Sequence, residues 1–187
     1  MSKLAFIFPG QGAQKAGMGK DFYENSETAR SFFDQAQKIL DFDLKEMCFG
    51  EHEELNLTEY TQPCMVSVCL AIVQELKKRG INPDITAGLS LGEYAAVAAA
   101  GGMNELDAIK LERRRGILMQ STVPAGEGAM AAVLGLDAKK IEEILESFEN
   151  VWIANYNCPG QIVITGLTNE VKPVSYTHLR AHETGAY

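Results

Sequence analysis

"GLSLGEYAAVAAAGG" occupies residues 88–102 and sets a serine, Ser90, between two glycines ahead of a run of small residues. Upstream, "DITAG" (84–88) reads as a short strand. Downstream, "LGEYAAVAAAG" (91–101) reads as a helix whose alanines allow close packing on a sheet. A G-x-S-x-G sequence arises by chance in on the order of one chain in twenty of this length, so its context has to decide. A strand before it and a helix after it give the layout of a nucleophile elbow. Such a turn holds its serine at strained backbone angles, and glycines on either side remove the Cβ atoms that would clash. The serine then stands at a helix N-terminus, where backbone N–H groups can stabilise an oxyanion.

Working outward, "LAFIF" (4–8) is a continuous apolar run closed by Pro9 and Gly10, the pattern of a strand buried on both faces of a parallel sheet. A glycine-rich loop fills 9–19. Helices are expected at 27–40, with Phe32, Phe33, Ala36, Ile39 and Leu40 on one face, and at 63–79, with Gly80 as its C-terminal cap. A further helix is expected from Asn104, its cap, to about residue 121. From 126 the character shifts to strand (128–136), helix (137–148) and two strands joined at Pro159-Gly160. The expected fold is α/β: a hydrolase-like parallel sheet with a nucleophile elbow over 1–125, then an incomplete ferredoxin-like α+β subdomain over 126–172.

The 187 residues carry a net charge of −8, which argues against non-specific nucleic-acid binding, and 46% of them are hydrophobic, ordinary for a soluble globular protein. The apolar run near the N-terminus is too short for a signal peptide, and no stretch is long enough to span a membrane. A cytoplasmic protein is expected. Cys48, Cys64, Cys69 and Cys158 have no metal or redox spacing and read as buried reduced thiols.

Four ordered blocks carry a more specific signal: "FPGQGAQ", "SLGEY", "RRRGILMQ" followed by "PAGEGAMAAVLGL", and "NYNCPGQIVITG". On these blocks the chain resembles the malonyl-CoA:acyl carrier protein transacylase family. The resemblance implies that Ser90 is the acyl-accepting nucleophile and that the N–H groups of Gln11 and Leu91 form its oxyanion hole. It implies that Arg115 binds the malonyl carboxylate, for which a guanidinium offers a planar fork. Helical periodicity by itself leaves Arg113, Arg114 and Arg115 open. Leu91 resembles the residue of malonyl-selective members. Gln62, Met119 and Asn157 fall in matching blocks and are implied as pocket residues. Malonyl-CoA is the implied substrate and acyl carrier protein the implied partner. No permanently bound cofactor or metal, no nucleic acid and no membrane are expected, and the complete protein is expected to be a monomer. Leu89 stands where the family usually has histidine.

The family's general base is a histidine of a later block that does not occur in this sequence. The chain is therefore expected to be a truncated fragment without competent activity. Residues 173–187, "PVSYTHLRAHETGAY", do not continue the pattern and are expected to add nothing to a core. His178 and His182 are spaced like a helical metal pair but have no evident third ligand, and His52, in "GEHEELN", reads as a surface residue. Two other readings stay open. A serine esterase would have no use for a carboxylate-binding arginine. A non-catalytic carrier-binding domain would bind carrier protein without acylating Ser90.

Overall fold

The computed structural model describes residues 3–123 and 126–175, which divide into two compact units, one ending at Gln120 and the other beginning at Ser121. The division falls five residues before the boundary expected from the change in composition.

In the first unit, β1 (Ala5–Phe8) and β2 (Ile85–Gly88) pair in parallel, with Ala5 opposite Ile85 and Phe8 opposite Gly88. Between them come α1 (Lys20–Asn25), α2 (Glu27–Gln37), α3 (Leu44–Phe49), a 3-10 turn at Glu53–Asn56 and α4 (Thr58–Lys78). α5 (Leu91–Ala99) and α6 (Glu105–Thr122) follow. Ser26 caps α2 by accepting from the Ala29 amide, and Asn104 caps α6 by accepting from the Leu106 amide. The core is aromatic and aliphatic: Phe33, Leu44, Leu70, Leu91 and Ile109 are fully buried. Phe33 meets the Tyr23 ring edge-on at 5.8 Å.

Two expectations need correcting. The "LAFIF" strand is covered on one face, not both. Phe8 is buried, whereas Ile7 is 79% exposed and Ile85, on β2 opposite Ala5, is 61% exposed. A continuous apolar run cannot tell which of its faces a given chain covers.

The second correction concerns α4, which begins at Thr58, five residues before the Pro63 expected to open it. A proline inside a helix lacks the N–H that would bond to the carbonyl four residues back. For Pro63 that carbonyl belongs to Glu59, and it accepts instead from Arg113 Nη1 at 2.8 Å. Arg113 also pairs with Asp41 at 2.8 Å and with the Glu59 carboxylate at 3.1 Å, and its guanidinium lies over the Phe42 and Tyr60 rings. A distant side chain thus replaces the missing backbone donor, and the helix continues through its proline.

The second unit contains β3 (Gly128–Leu134), α7 (Ala138–Leu145), β4 (Val151–Cys158), β5 (Gln161–Leu167) and α8 (Thr168–Pro173). β5 lies between β3 and β4 and is antiparallel to both, so β3 and β4 run parallel with a strand inserted between them. Ile141 and Leu145 of α7 pack with Ala131, Val133, Ile162 and Ile164 of the sheet. β4 is an edge strand, and it leaves Cys158 exposed where a buried thiol was expected. Burial raises the Cys64 thiol well above its usual pKa and takes Cys69 up to about 11, so both stay protonated.

The final described residues differ from the sequence expectation. α8 includes Pro173, and Val174 is fully buried in the second core. Ser175 is buried as well, its hydroxyl donating to the Val171 carbonyl at 2.8 Å. The apolar content of the segment's first residues is enough to add a turn to the core. His178 and His182 lie outside the described residues.

Candidate active site

The local chain path around Ser90 follows from two glycines. Ser90 has φ 53° and ψ −111°, and it is the non-glycine residue with positive φ among the described residues. β2 ends at Gly88 and α5 begins at Leu91, so two residues turn the chain from strand to helix. A Cβ on Gly88 would run into the backbone of Gly92. A Cβ on Gly92 would lie 2.5 Å from the Phe8 carbonyl oxygen and 2.6 Å from that of Pro9. The glycines therefore let the turn close and let it press against the end of β1. Holding Ser90 there costs on the order of 1–3 kcal/mol, supplied by the packing around it.

The loop after β1 rests on this turn. A Cβ on Gly10 would touch the Leu89 carbonyl oxygen at 3.0 Å. Gln11 follows, and its side-chain amide donates to Thr58 Oγ1 at 3.1 Å. Thr58 in turn gives its backbone N–H to Gln120 Oε1 at 3.0 Å. One threonine at the start of α4 thereby ties the Gln11 loop to the end of α6. Leu91 is the first residue of α5, so its N–H is one of the amides a helix N-terminus leaves without an intrahelical partner. Leu89 is 54% exposed, and its backbone N–H donates to the Phe8 carbonyl.

α6 brings its arginines to different tasks. Arg113 is committed to Asp41, to Glu59 and to two aromatic rings. Arg114 is exposed. Arg115 directs Nη2 at Ser90 Oγ, 3.1 Å away, and its guanidinium lies 5.5 Å from the centre of the Tyr94 ring. Its Nη1 reaches Glu112 Oε2 at 3.4 Å, longer than the 2.7–2.9 Å usual for a charge-assisted bond. Glu112 is 0% exposed, and its Oε1 has no partner among the described residues. Burial pushes the Glu112 carboxyl up to about 7, against the opposing pull of Arg115. Gln62 is buried on α4 and its Nε2 approaches the Met119 sulfur at 3.3 Å.

The acyl transferase domain family matches residues 5–185 of this sequence. The chain belongs to that family. The match runs beyond residue 172, after which the block resemblance does not continue. The malonyl CoA-acyl carrier protein transacylase of Bacillus subtilis strain 168 is 46% identical over 191 aligned positions, covering 100% of this chain and 59% of the relative. Among solved structures, the malonyl CoA-acyl carrier protein transacylase of Clostridium perfringens superposes with a TM-score of 0.86 at 40% identity, covering 97% of this chain and 60% of that one. A malonyl-transacylase solved with its type II PKS acyl-carrier protein superposes with a TM-score of 0.85 at 37% identity, over 94% of this chain and 58% of that one. The chain spans about three fifths of the length of the relatives it matches.

Of the residues expected at an acyl-transfer site, Ser90 and Arg115 are in direct contact, and Gln62 and Met119 touch each other. The Gln11 loop lies against the turn that carries Ser90. Asn157 belongs to the second unit, where its side chain donates to Gln161 Oε1 at 3.2 Å. His52, the one histidine among the described residues, pairs with Glu46 at 3.0 Å. Sequence reasoning missed Tyr94, Glu112, Thr58 and Gln120. Two of these had a usable signal: Tyr94 lies four residues after Ser90 on α5 and Glu112 three before Arg115 on α6, helical neighbours in both cases. No group of side chains suited to a metal occurs among the described residues, and no helix there is long and apolar enough to cross a membrane.

Proposed function

We propose that this chain carries the nucleophile and the carboxylate-recognising half of a malonyl transferase site, on a hydrolase-like core joined to part of a ferredoxin-like subdomain. The observation that carries this reading is the approach of Arg115 Nη2 to Ser90 Oγ on a strained strand-to-helix turn. Ser90 Oγ attacks the thioester carbonyl of malonyl-CoA. The carbon–sulfur bond breaks, CoA leaves as its thiol, and the malonyl group is left as an ester on Ser90. Attack by the phosphopantetheine thiol of an acyl carrier protein reverses the step on a new sulfur and restores the hydroxyl, a ping-pong route. The N–H groups of Leu91 and Gln11 stabilise the oxyanion in both halves. A donor of this kind typically contributes about 10²–10³ in rate. Arg115 holds the malonyl carboxylate, and Gln62 and Met119 line the pocket beside it.

A serine hydroxyl needs a proton acceptor, and His52 is engaged with Glu46. The test is therefore chemical rescue. The chain is incubated with malonyl-CoA with and without added imidazole, and intact mass is read over time. The expected result is a malonyl adduct on Ser90 whose formation rises with imidazole, is absent in Ser90→Ala and is far weaker with acetyl-CoA. An adduct that persists in Ser90→Ala, or no adduct under any of these conditions, overturns the assignment.

A further inference from the structure

Arg113 and Arg115 lie on one helix but are held very differently. Arg113 is locked by two carboxylates at 2.8–3.1 Å. Arg115 has one long contact, 3.4 Å, to one oxygen of Glu112, and otherwise meets a neutral hydroxyl and the face of Tyr94. Its guanidinium has donors to spare. Glu112 is a fully buried carboxyl with one oxygen weakly paired and the other without a partner among the described residues. Such a group costs free energy when ionised and loses that cost on protonation.

We propose that Glu112 is a positioning residue that takes up a proton when a substrate carboxylate reaches Arg115, so that binding of a malonyl group, but not of an acetyl group, is coupled to protonation of this side chain. The proposal rests on reading Arg115 as the carboxylate-binding residue. The Glu112 carboxylate takes Nη1 of the guanidinium, and Nη2 faces Ser90. A second carboxylate on the same guanidinium then disfavours the first, as two carboxylates sharing one site cannot both stay ionised cheaply. The fully buried one, with no second donor among the described residues, is the one to accept a proton from solvent.

The charges around Glu112 leave Arg115 as its effective partner. Arg115, on the same helix, is the charged group that acts on it. On α4, Glu59 is engaged by Arg113, while Thr58 and Gln62 are uncharged. On α5, Tyr94 faces Arg115. Burial already holds Glu112 near the middle of the physiological range, so a modest change in Arg115's pairing is enough to shift its protonation. Linkage to a single proton allows malonyl affinity to fall by up to about tenfold per pH unit where Glu112 is ionised in the free chain.

The experiment is calorimetric titration of the Ser90→Ala chain, in which the thioester is not consumed, with malonyl-CoA and acetyl-CoA. It is run at pH 7.5, set for about one unit or less above the Glu112 titration, in two buffers of different ionisation enthalpy. The CoA phosphates are common to both ligands, so the difference between them reports the malonyl carboxylate. A fraction of a proton taken up with malonyl-CoA, none in excess of the acetyl-CoA value with Glu112→Gln, and a flattened pH profile in that variant are expected. Malonyl preference without proton uptake, or uptake that survives Glu112→Gln, overturns this proposal and leaves the Arg115 reading intact. Equal binding of both thioesters, or of neither, removes the Arg115 reading and this proposal with it. A ligand-free check is carbon-13 NMR of labelled glutamate: titration of Glu112 in the ordinary carboxylate range near 4 rules the mechanism out even if malonyl preference is found.

Discussion

Arg115 Nη2 stands 3.1 Å from Ser90 Oγ, so one guanidinium is within hydrogen-bond reach of the atom proposed to attack the substrate. In a malonyl thioester a single methylene separates the carboxylate from the reacting carbonyl. A cation held this close to the nucleophile suits that short span.

Replacing Arg115 with alanine is expected to reduce Ser90 labelling by malonyl-CoA far more than labelling by acetyl-CoA under imidazole rescue. A charge-assisted pair is typically worth about 1.5–3 kcal/mol, so the malonyl preference should drop by roughly 10- to 150-fold. Equal losses for the two thioesters would remove Arg115 from the role.

The turn at Ser90 stores strain that glycine would not feel. Ser90→Gly should be more stable than Ser90→Ala by about 1 kcal/mol in chemical denaturation. Gly92→Ala should destabilise by about 2 kcal/mol or more, because its Cβ meets two rigid carbonyls of the β1 end rather than a movable side chain. An unchanged denaturation midpoint in the Gly92→Ala variant would contradict the packing described for the turn.

Arg113 and Pro63 should be coupled. Arg113→Ala strips the Glu59 carbonyl and two carboxylates of their donor, a loss of about 2–4 kcal/mol. In a Pro63→Ala background the helix regains its own donor for that carbonyl, and the same arginine change should cost about 1 kcal/mol less. A double-mutant cycle by urea denaturation measures the difference, and strict additivity would show that the bond to Glu59 carries no energy.

Stability should also respond to pH through Glu112. Its folded pKa, about 7, lies above the ordinary 4.5. The folded state therefore binds more protons between those values, and stability falls as pH rises through the window. The penalty is absent below about 4.5 and complete above about 7, reaching at most roughly 3 kcal/mol. Glu112→Gln should gain on the parent chain across that interval and hold a constant margin above it. A margin independent of pH would mean that the carboxyl ionises normally.

Val174 provides a check on the second core. Val174→Ala removes two buried methyl groups and should destabilise by about 1.5 kcal/mol. Ending the chain after Lys172 should lower the thermal midpoint. No change in either variant would place the segment outside the core.

Much of this molecule is written locally in the sequence. The glycines around Ser90, the Asn104 cap and the Ile141–Leu145 stripe each act within a few residues, so pattern alone locates the turn and most helices. What pattern does not carry is the partner supplied from far along the chain. Pro63 reads as the start of a helix because the donor that replaces its own comes from Arg113. "LAFIF" reads as buried on both sides because apolar character does not record which face is covered. Tyr94 and Glu112 are in view as helical neighbours of Ser90 and Arg115, yet neither type is diagnostic until the guanidinium between them is in place.

The proline repair in α4 also bears on the order in which the chain is made. Glu59 emerges from the ribosome well before Arg113, 54 residues later, so the first turn of α4 lacks its outside donor for that part of synthesis. The turn itself can close locally, because the Thr61 amide bonds to the Leu57 carbonyl, but the Glu59 carbonyl meets its protein donor only once α6 has been translated and has docked. The same turn bears Thr58, on which the Gln11 loop is anchored. The tie from the Gln11 loop through Thr58 to Gln120 is likewise non-local and late, and a chain halted before residue 113 would lack the α6 groups that meet both Thr58 and Ser90.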